Sequence, residues 1–154
     1  MQGEIPMSTA CDNWCLEPEL MSLNGLRVLA VDDNADNLDL LAFILEEYCG
    51  KVIKALGAVQ ALKIIQHVNV HVLISDLVMP QVDGYELIHR IRRLSPHQGG
   101  LIPAIALTAQ VTDDARTLAL SSGFQGYLTK PFEPKSLVAV AAKLALANVS
   151  TVMS

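Results

Sequence analysis

From residue 26 onward the chain alternates short apolar runs with stretches in which apolar side chains recur every three or four positions. Runs at 26–31, 51–55, 70–75, 102–107 and 126–128 have strand length. Their continuous apolarity is the pattern of strands buried on both faces. Between them, Leu38, Leu41, Leu45 and Tyr48, then Ala58, Ala61, Leu62, Ile65 and Val68, then Leu87, Ile88, Ile91 and Leu94 each trace one stripe of a helix. A last stripe, Leu137, Val140, Ala141 and Leu144, follows Pro134, whose fixed φ suits the first helical turn.

The residues at the edges of these stretches agree with that division. Asn34, Asp83 and Thr112 can each accept a hydrogen bond from the unpaired amides of a helix start, and Asp113 and Asp114 add charge that favours the N-terminal end of the dipole. Gly50 and Gly123 are expected to end the helices before them. Five repeats of strand then helix, without a strict internal sequence repeat, predict an α/β fold. Its form is a (βα)5 doubly wound, five-stranded parallel sheet covered on both faces.

Length and composition narrow the reading. The chain has 154 residues, enough for one domain and an extension. With 51% apolar residues and a mean hydropathy of +0.36 it is not a disordered chain. Eleven Lys and Arg against sixteen Asp and Glu leave −5, and no basic cluster offers a phosphate-backbone footprint, which argues against direct nucleic-acid binding. Apolar runs stop well short of the roughly 20 residues of a membrane span, and no early run has a signal peptide's basic flank, so the reading is a cytoplasmic protein without a membrane anchor.

Residues 1–24 contain no Lys or Arg but carry Glu4, Asp12, Glu17 and Glu19. They read as an N-terminal extension or linker with a short helix near 17–23, residues 25–148 as the domain, and 149–154 as a tail. Trp14 suits a docking anchor as well as a passive place in a tether. Cys11, Cys15 and Cys49 are odd in number and form no CxxC pair, so a disulfide framework or zinc site is not expected.

In open α/β sheets, ligands bind beyond the carboxyl ends of the strands, where strand order reverses. That rule selects Asp32 and Asp33 after the first strand, Asp76 after the third, Thr108 after the fourth and Lys130 after the fifth. Taken singly, these are a capping pair, a strand end and a surface charge. Taken together, three carboxylates on one rim repel and call for a cation. Mg2+ suits them, because it takes few carboxylates, keeps several waters and accepts phosphate oxygens, and Lys130 supplies a further counter-charge. His67, His71, His89 and His97 lack partner residues for catalysis.

The segments VDDN at 31–34, SDLVMPQVDGYEL at 75–87, ALTA at 106–109 and YLTKPF at 127–132 resemble, in order and spacing, the receiver domain of two-component response regulators of the CheY-like superfamily. The resemblance covers 26–148, about four fifths of the chain. It implies a flavodoxin-like fold in which Asp76 accepts a phosphoryl group from the phosphohistidine of a sensor histidine kinase or phosphotransfer protein, followed by slow autodephosphorylation. It further implies that Asp33, Asp76 and the Val78 backbone carbonyl hold Mg2+ directly while Asp32 acts through water. Lys130 would pair with the phosphoryl group, Thr108 would donate a hydrogen bond to it, and Tyr127 would change rotamer with Thr108. Val78 and Gln110 would tune the phosphoryl lifetime, and Lys130-Pro131 would be cis. Output would pass to a downstream protein target through the surface of the fourth helix, fifth strand and fifth helix.

Other readings stand beside this one. A flavodoxin-type FMN binder needs glycine and hydroxyl residues after the first strand, where this chain has the acidic VDDNADN. A receiver-shaped interaction module that is never phosphorylated, and a receiver module of a hybrid histidine kinase with 1–24 as linker, share the same motifs. Ala139, Ala142 and Ala145 are read as an outward stripe that suits a homodimer as well as simple helix propensity.

Overall fold

A computed structural model describes residues 23–79, 81–109 and 112–153, with side chains as far as residue 146. Five strands, β1 (Arg27–Val31), β2 (Lys51–Ala55), β3 (Val72–Asp76), β4 (Ala104–Thr108) and β5 (Gly126–Thr129), form one parallel sheet in the order β2-β1-β3-β4-β5. Five α-helices connect or follow them: α1 (Ala35–Glu47), α2 (Ala58–His67), α3 (Gly84–Arg92), α4 (Asp113–Ser122) and α5 (Pro134–Met153). A 3-10 turn, Pro96–Gln98, lies before β4. The expected (βα)5 architecture is the one observed.

The pleat sends alternate strand residues to opposite layers. Leu29, Val31, Leu73, Ala104 and Ala106 pack with α2, α3 and α4. Val28, Ala30, Val72, Ile74, Ile105 and Leu107 pack with α1 and α5. With both faces covered, the backbone ladder is shielded and the strands read as uninterrupted apolar runs. The order of the chain reverses between β1 and β3, which puts the ends of these two strands side by side.

The caps are local chemistry. Asn34 Oδ1 accepts from the amides of Asp36 and Asn37, Asp83 Oδ1 from Glu86, and Thr112 Oγ1 from Ala115. Gly84 opens α3 in close quarters: a Cβ there would lie 2.5 Å from the Asp76 carbonyl oxygen and 2.9 Å from Leu77 Cα. The first turn of α3 therefore sits against the chain that carries Asp76. At the other pole, the Arg92 guanidinium donates to the carbonyls of Gly100 and Gly123 and to Gln125 Oε1, tying α3 to the starts of β4 and β5.

Five details differ from the sequence expectation. The left-handed residue after α1 is Cys49 (φ 73), while Gly50 is needed for close approach to Leu23 and the Leu45 carbonyl. Cys49 is disulfide-bonded, against the expectation of no disulfide framework. Leu23, assigned to the extension, is fully buried, and its amide donates to the Tyr48 carbonyl. On α5 the inward stripe is Leu137, Val138, Ala141, Ala142 and Ala145, so Ala142 and Ala145 do not face outward and offer no surface for the homodimer they suggested. That helix is apolar nearly all round, so its phase could not be read from spacing. It also runs to Met153, into the segment read as a tail. Cys11, Trp14, Cys15 and the helix expected near 17–23 lie outside the described residues, save for Leu23.

Candidate functional site

The site is built where β1, β3, β4 and β5 end. Asp32 follows β1 directly and its amide donates to the Ala55 carbonyl at the end of β2, so its backbone is held by the sheet edge. Its side chain is 3% exposed. Oδ1 accepts from the Asn34 amide at 2.9 Å, and Oδ2 accepts from Asn37 Nδ2 at 3.2 Å. Asp33, the next residue, is exposed. Asp76 ends β3 with its side chain 13% exposed, and Oδ1 accepts from the Val78 amide at 3.3 Å. One carboxylate oxygen from each of Asp32, Asp33 and Asp76 lies within 4.8 Å of the others.

Lys130 faces this group. Its ammonium is 3.5 Å from Asp76 Oδ2 and 3.8 Å from Asp32 Oδ2. Its backbone is tied to the end of β4, because the Lys130 amide donates to the Thr108 carbonyl at 2.7 Å; the following peptide to Pro131 is cis. Thr108 ends β4, is fully buried and lies beside Thr129 of β5, while Asp76 lies beside Leu107. Tyr127 is half-buried on β5, packed against the layer of α2, α3 and α4. Val78 is 66% exposed on the rim, and Gln110 lies outside the described residues. The structure thus brings Asp32, Asp33, Asp76 and Lys130 together, with Thr108 at the adjacent strand end.

Charge is the main feature of the arrangement. Burial raises the pKa of the Asp32 carboxyl above its ordinary value of 3.8, the Asp76 charge adds to that rise, and the Asn34 amide and Lys130 oppose it. Three carboxylates face one ammonium, so the group as a whole is short of positive charge. All three candidate ligands are hard oxygens, one buried, one half-buried and one exposed, which leaves the cluster open on its Asp33 side. A divalent cation of the Mg2+ type fits such a donor set. An FMN phosphate does not, because the amides it would need are already engaged: Asn34 N with Asp32, and Asp36 N and Asn37 N with Asn34.

Asn37 carried no sequence signal for this site. A lone polar residue in a first helical turn is ordinary, and its contact depends on a carboxylate five positions earlier. Beside the cluster, a groove of about 410 Å³ is lined by Asn37, Leu40, Ile44, Lys130 and Phe132. Leu40 and Phe43 on the same helix are 56% and 62% exposed.

Comparison with known proteins agrees with this architecture. The chain is 41% identical over 128 residues to an uncharacterised 14.6 kDa protein of Leptolyngbya boryana, covering 83% of this chain and 96% of that one. It is 37% identical over 137 residues to the sensor histidine kinase GacS of Pseudomonas protegens, covering 86% of this chain but only 15% of the kinase. Among solved structures, the receiver domain of the sensor histidine kinase PA1611 of Pseudomonas aeruginosa, described with a magnesium ion in its active-site cleft, is similar with a TM-score of 0.71 and 27% identity, covering 79% of this chain and 98% of that domain. The model of the response regulator receiver domain matches residues 28–142. Described residues contain no helix long and apolar enough to cross a membrane. With the match spanning the sheet and its acidic rim, the chain belongs to the response regulator receiver domain family of two-component systems.

Proposed function

We propose that Asp76 accepts a phosphoryl group from a phosphohistidine and that the modified site switches a protein-binding surface. The observation that carries the reading is the convergence of Asp32, Asp33 and Asp76 within 4.8 Å with Lys130 3.5 Å from Asp76. An Asp76 oxygen attacks phosphorus, the P–N bond to the donor imidazole breaks, and the imidazole leaves with the bonding electron pair. Asp33, Asp76 and the Val78 carbonyl would hold Mg2+, with Asp32 acting through water, and the ion when bound supplies charge neutralisation for the transferred oxygens. Lys130 keeps an ammonium beside the acceptor, where it can pair with a phosphoryl oxygen. The Thr108 hydroxyl donates to another.

Those two contacts form only with the phosphoryl group present. They therefore favour one of two local arrangements and shift the population, with Tyr127 following Thr108 and the α4, β5 and α5 surface as output. Val78 and Gln110, two positions past Asp76 and Thr108 respectively, would set how long the phosphoryl group persists. The donor is a sensor histidine kinase or phosphotransfer protein, and the receiver of the output is a downstream protein, both in the cytoplasm. Similarity to a kinase of which this chain spans 15% supports a second assignment, a receiver module within a hybrid kinase, with the same chemistry.

Incubation with acetyl phosphate or a beryllofluoride reagent tests the reading. With Mg2+ the intact mass is expected to rise by one phosphoryl group, and chelation is expected to prevent it. Absence of any mass or spectral change at saturation would instead identify an interaction module that is never phosphorylated.

A further inference from the structure

We infer that Asn37 is a positioning residue for this site, holding the Asp32 carboxylate in the orientation that supports the divalent cation, an inference that rests on the Mg2+ reading above. Asn37 is the third residue of α1, and helical side chains lean toward the N-terminus, so its carboxamide reaches back over the first turn. Nδ2 meets Asp32 Oδ2 at 3.2 Å while the Asn34 amide holds Oδ1 at 2.9 Å. The start of the helix that carries this arm is itself fixed, since the amides of Asp36 and Asn37 both donate to Asn34 Oδ1. Each oxygen of a nearly inaccessible carboxylate thus has its own neutral donor, and the plane of the group is set.

The position matters because Lys130 is shared. Asp32 Oδ2, besides the Asn37 carboxamide, has at 3.8 Å an ammonium that also stands 3.5 Å from Asp76. A carboxylate free to rotate would draw Lys130 toward itself and turn a different lone pair into the cluster. Asn37 therefore maintains both the aim of Asp32 and the division of Lys130 between two acids. Partners of this outer kind typically change metal affinity by about 10- to 100-fold when removed.

The test is a Mg2+ titration of the folded protein followed by backbone amide NMR shifts, which reads affinity without phosphorylation. Asn37→Leu keeps the side-chain size and removes the donor, and Asn37→Ala repeats the test if leucine perturbs folding. Both are expected to weaken Mg2+ binding about tenfold and to move the Asp32 carboxyl carbon resonance in chelator. A purely structural role would lower melting temperature while leaving the affinity of the folded protein unchanged, and that result would overturn the inference. Failure of the unmodified protein to bind Mg2+ would instead remove the Mg2+ reading, and this inference with it.

Discussion

Asp32→Asn is expected to stabilise the metal-free protein at neutral pH, although it removes a residue of the site. The carboxylate oxygens of Asp32, Asp33 and Asp76 lie within 4.8 Å of one another, and at an effective dielectric of about 20 each like-charged pair costs about 3.5 kcal/mol. Lys130 at 3.8 Å returns about 4 kcal/mol to Asp32 and so offsets one of its two repulsions. Burial of the charge is the largest penalty and the Asn34 amide offsets part of it, so neutralising Asp32 gains about 1 to 2 kcal/mol. For a domain of this size that corresponds to a rise of about 4 to 8 °C in melting temperature.

The sign with pH follows from the direction of the shift. The folded pKa of Asp32 is raised by burial, so its contribution to stability is fully present below the unfolded value of 3.8 and is lost as pH rises through the folded pKa. The advantage of asparagine is therefore larger at pH 7 than at pH 4. Thermal unfolding followed by circular dichroism in chelator, at both pH values, measures it. Added Mg2+ should raise the melting temperature of the unmodified protein more than that of the variant. A variant that is less stable at pH 7 in chelator, or whose advantage is undiminished at pH 4, would refute the electrostatic reasoning.

Further outcomes concern single residues. Lys130→Ala is expected to destabilise the metal-free fold by about 1 to 3 kcal/mol, because two carboxylates lose their ammonium, and to abolish output with Asp76 still in place; denaturant unfolding and a partner-binding assay check the two parts. Gly84→Ala is expected to cost about 2 to 3 kcal/mol, since the new Cβ meets the Asp76 carbonyl, and to slow phosphoryl uptake by displacing the acceptor. His71 accepts from the Arg27 amide through Nδ1, and burial followed by the Arg27 charge lowers its pKa below 6.5. Protonation breaks that hydrogen bond, so the His71 contribution is present above pH 6.5 and lost as pH falls through the folded value; His71→Gln is expected to flatten the loss of stability between pH 7 and 5 in a denaturant series.

What the sequence made legible was local or periodic. The caps at Asn34, Asp83 and Thr112 need only a side-chain oxygen next to free amides, and each forms as expected. The limits of β4 moved by one or two residues, because the 3-10 turn at Pro96–Gln98 and the close approach of Gly100 to the Leu94 carbonyl reset the entry to that strand. The phase of α5 was hidden by its uniform apolarity. For the candidate site, residue types at strand ends singled out Asp32, Asp33, Asp76, Thr108 and Lys130, of which Asp32, Asp33, Asp76 and Lys130 lie together. The neighbourhood of β1 and β3 that brings the acids together is a non-local property of strand order, and the bond from Asn37 to Asp32 depends on helix orientation, so neither can be read from spacing alone.

The most direct measurement locates the modification. After incubation with a phosphohistidine donor and Mg2+, hydride reduction of the acyl phosphate followed by peptide mapping should place the reduced residue at Asp76, and Asp76→Asn should take up no phosphoryl group while retaining its circular dichroism spectrum. A label found on another residue, or one that persists in the folded Asp76→Asn variant, would contradict the account.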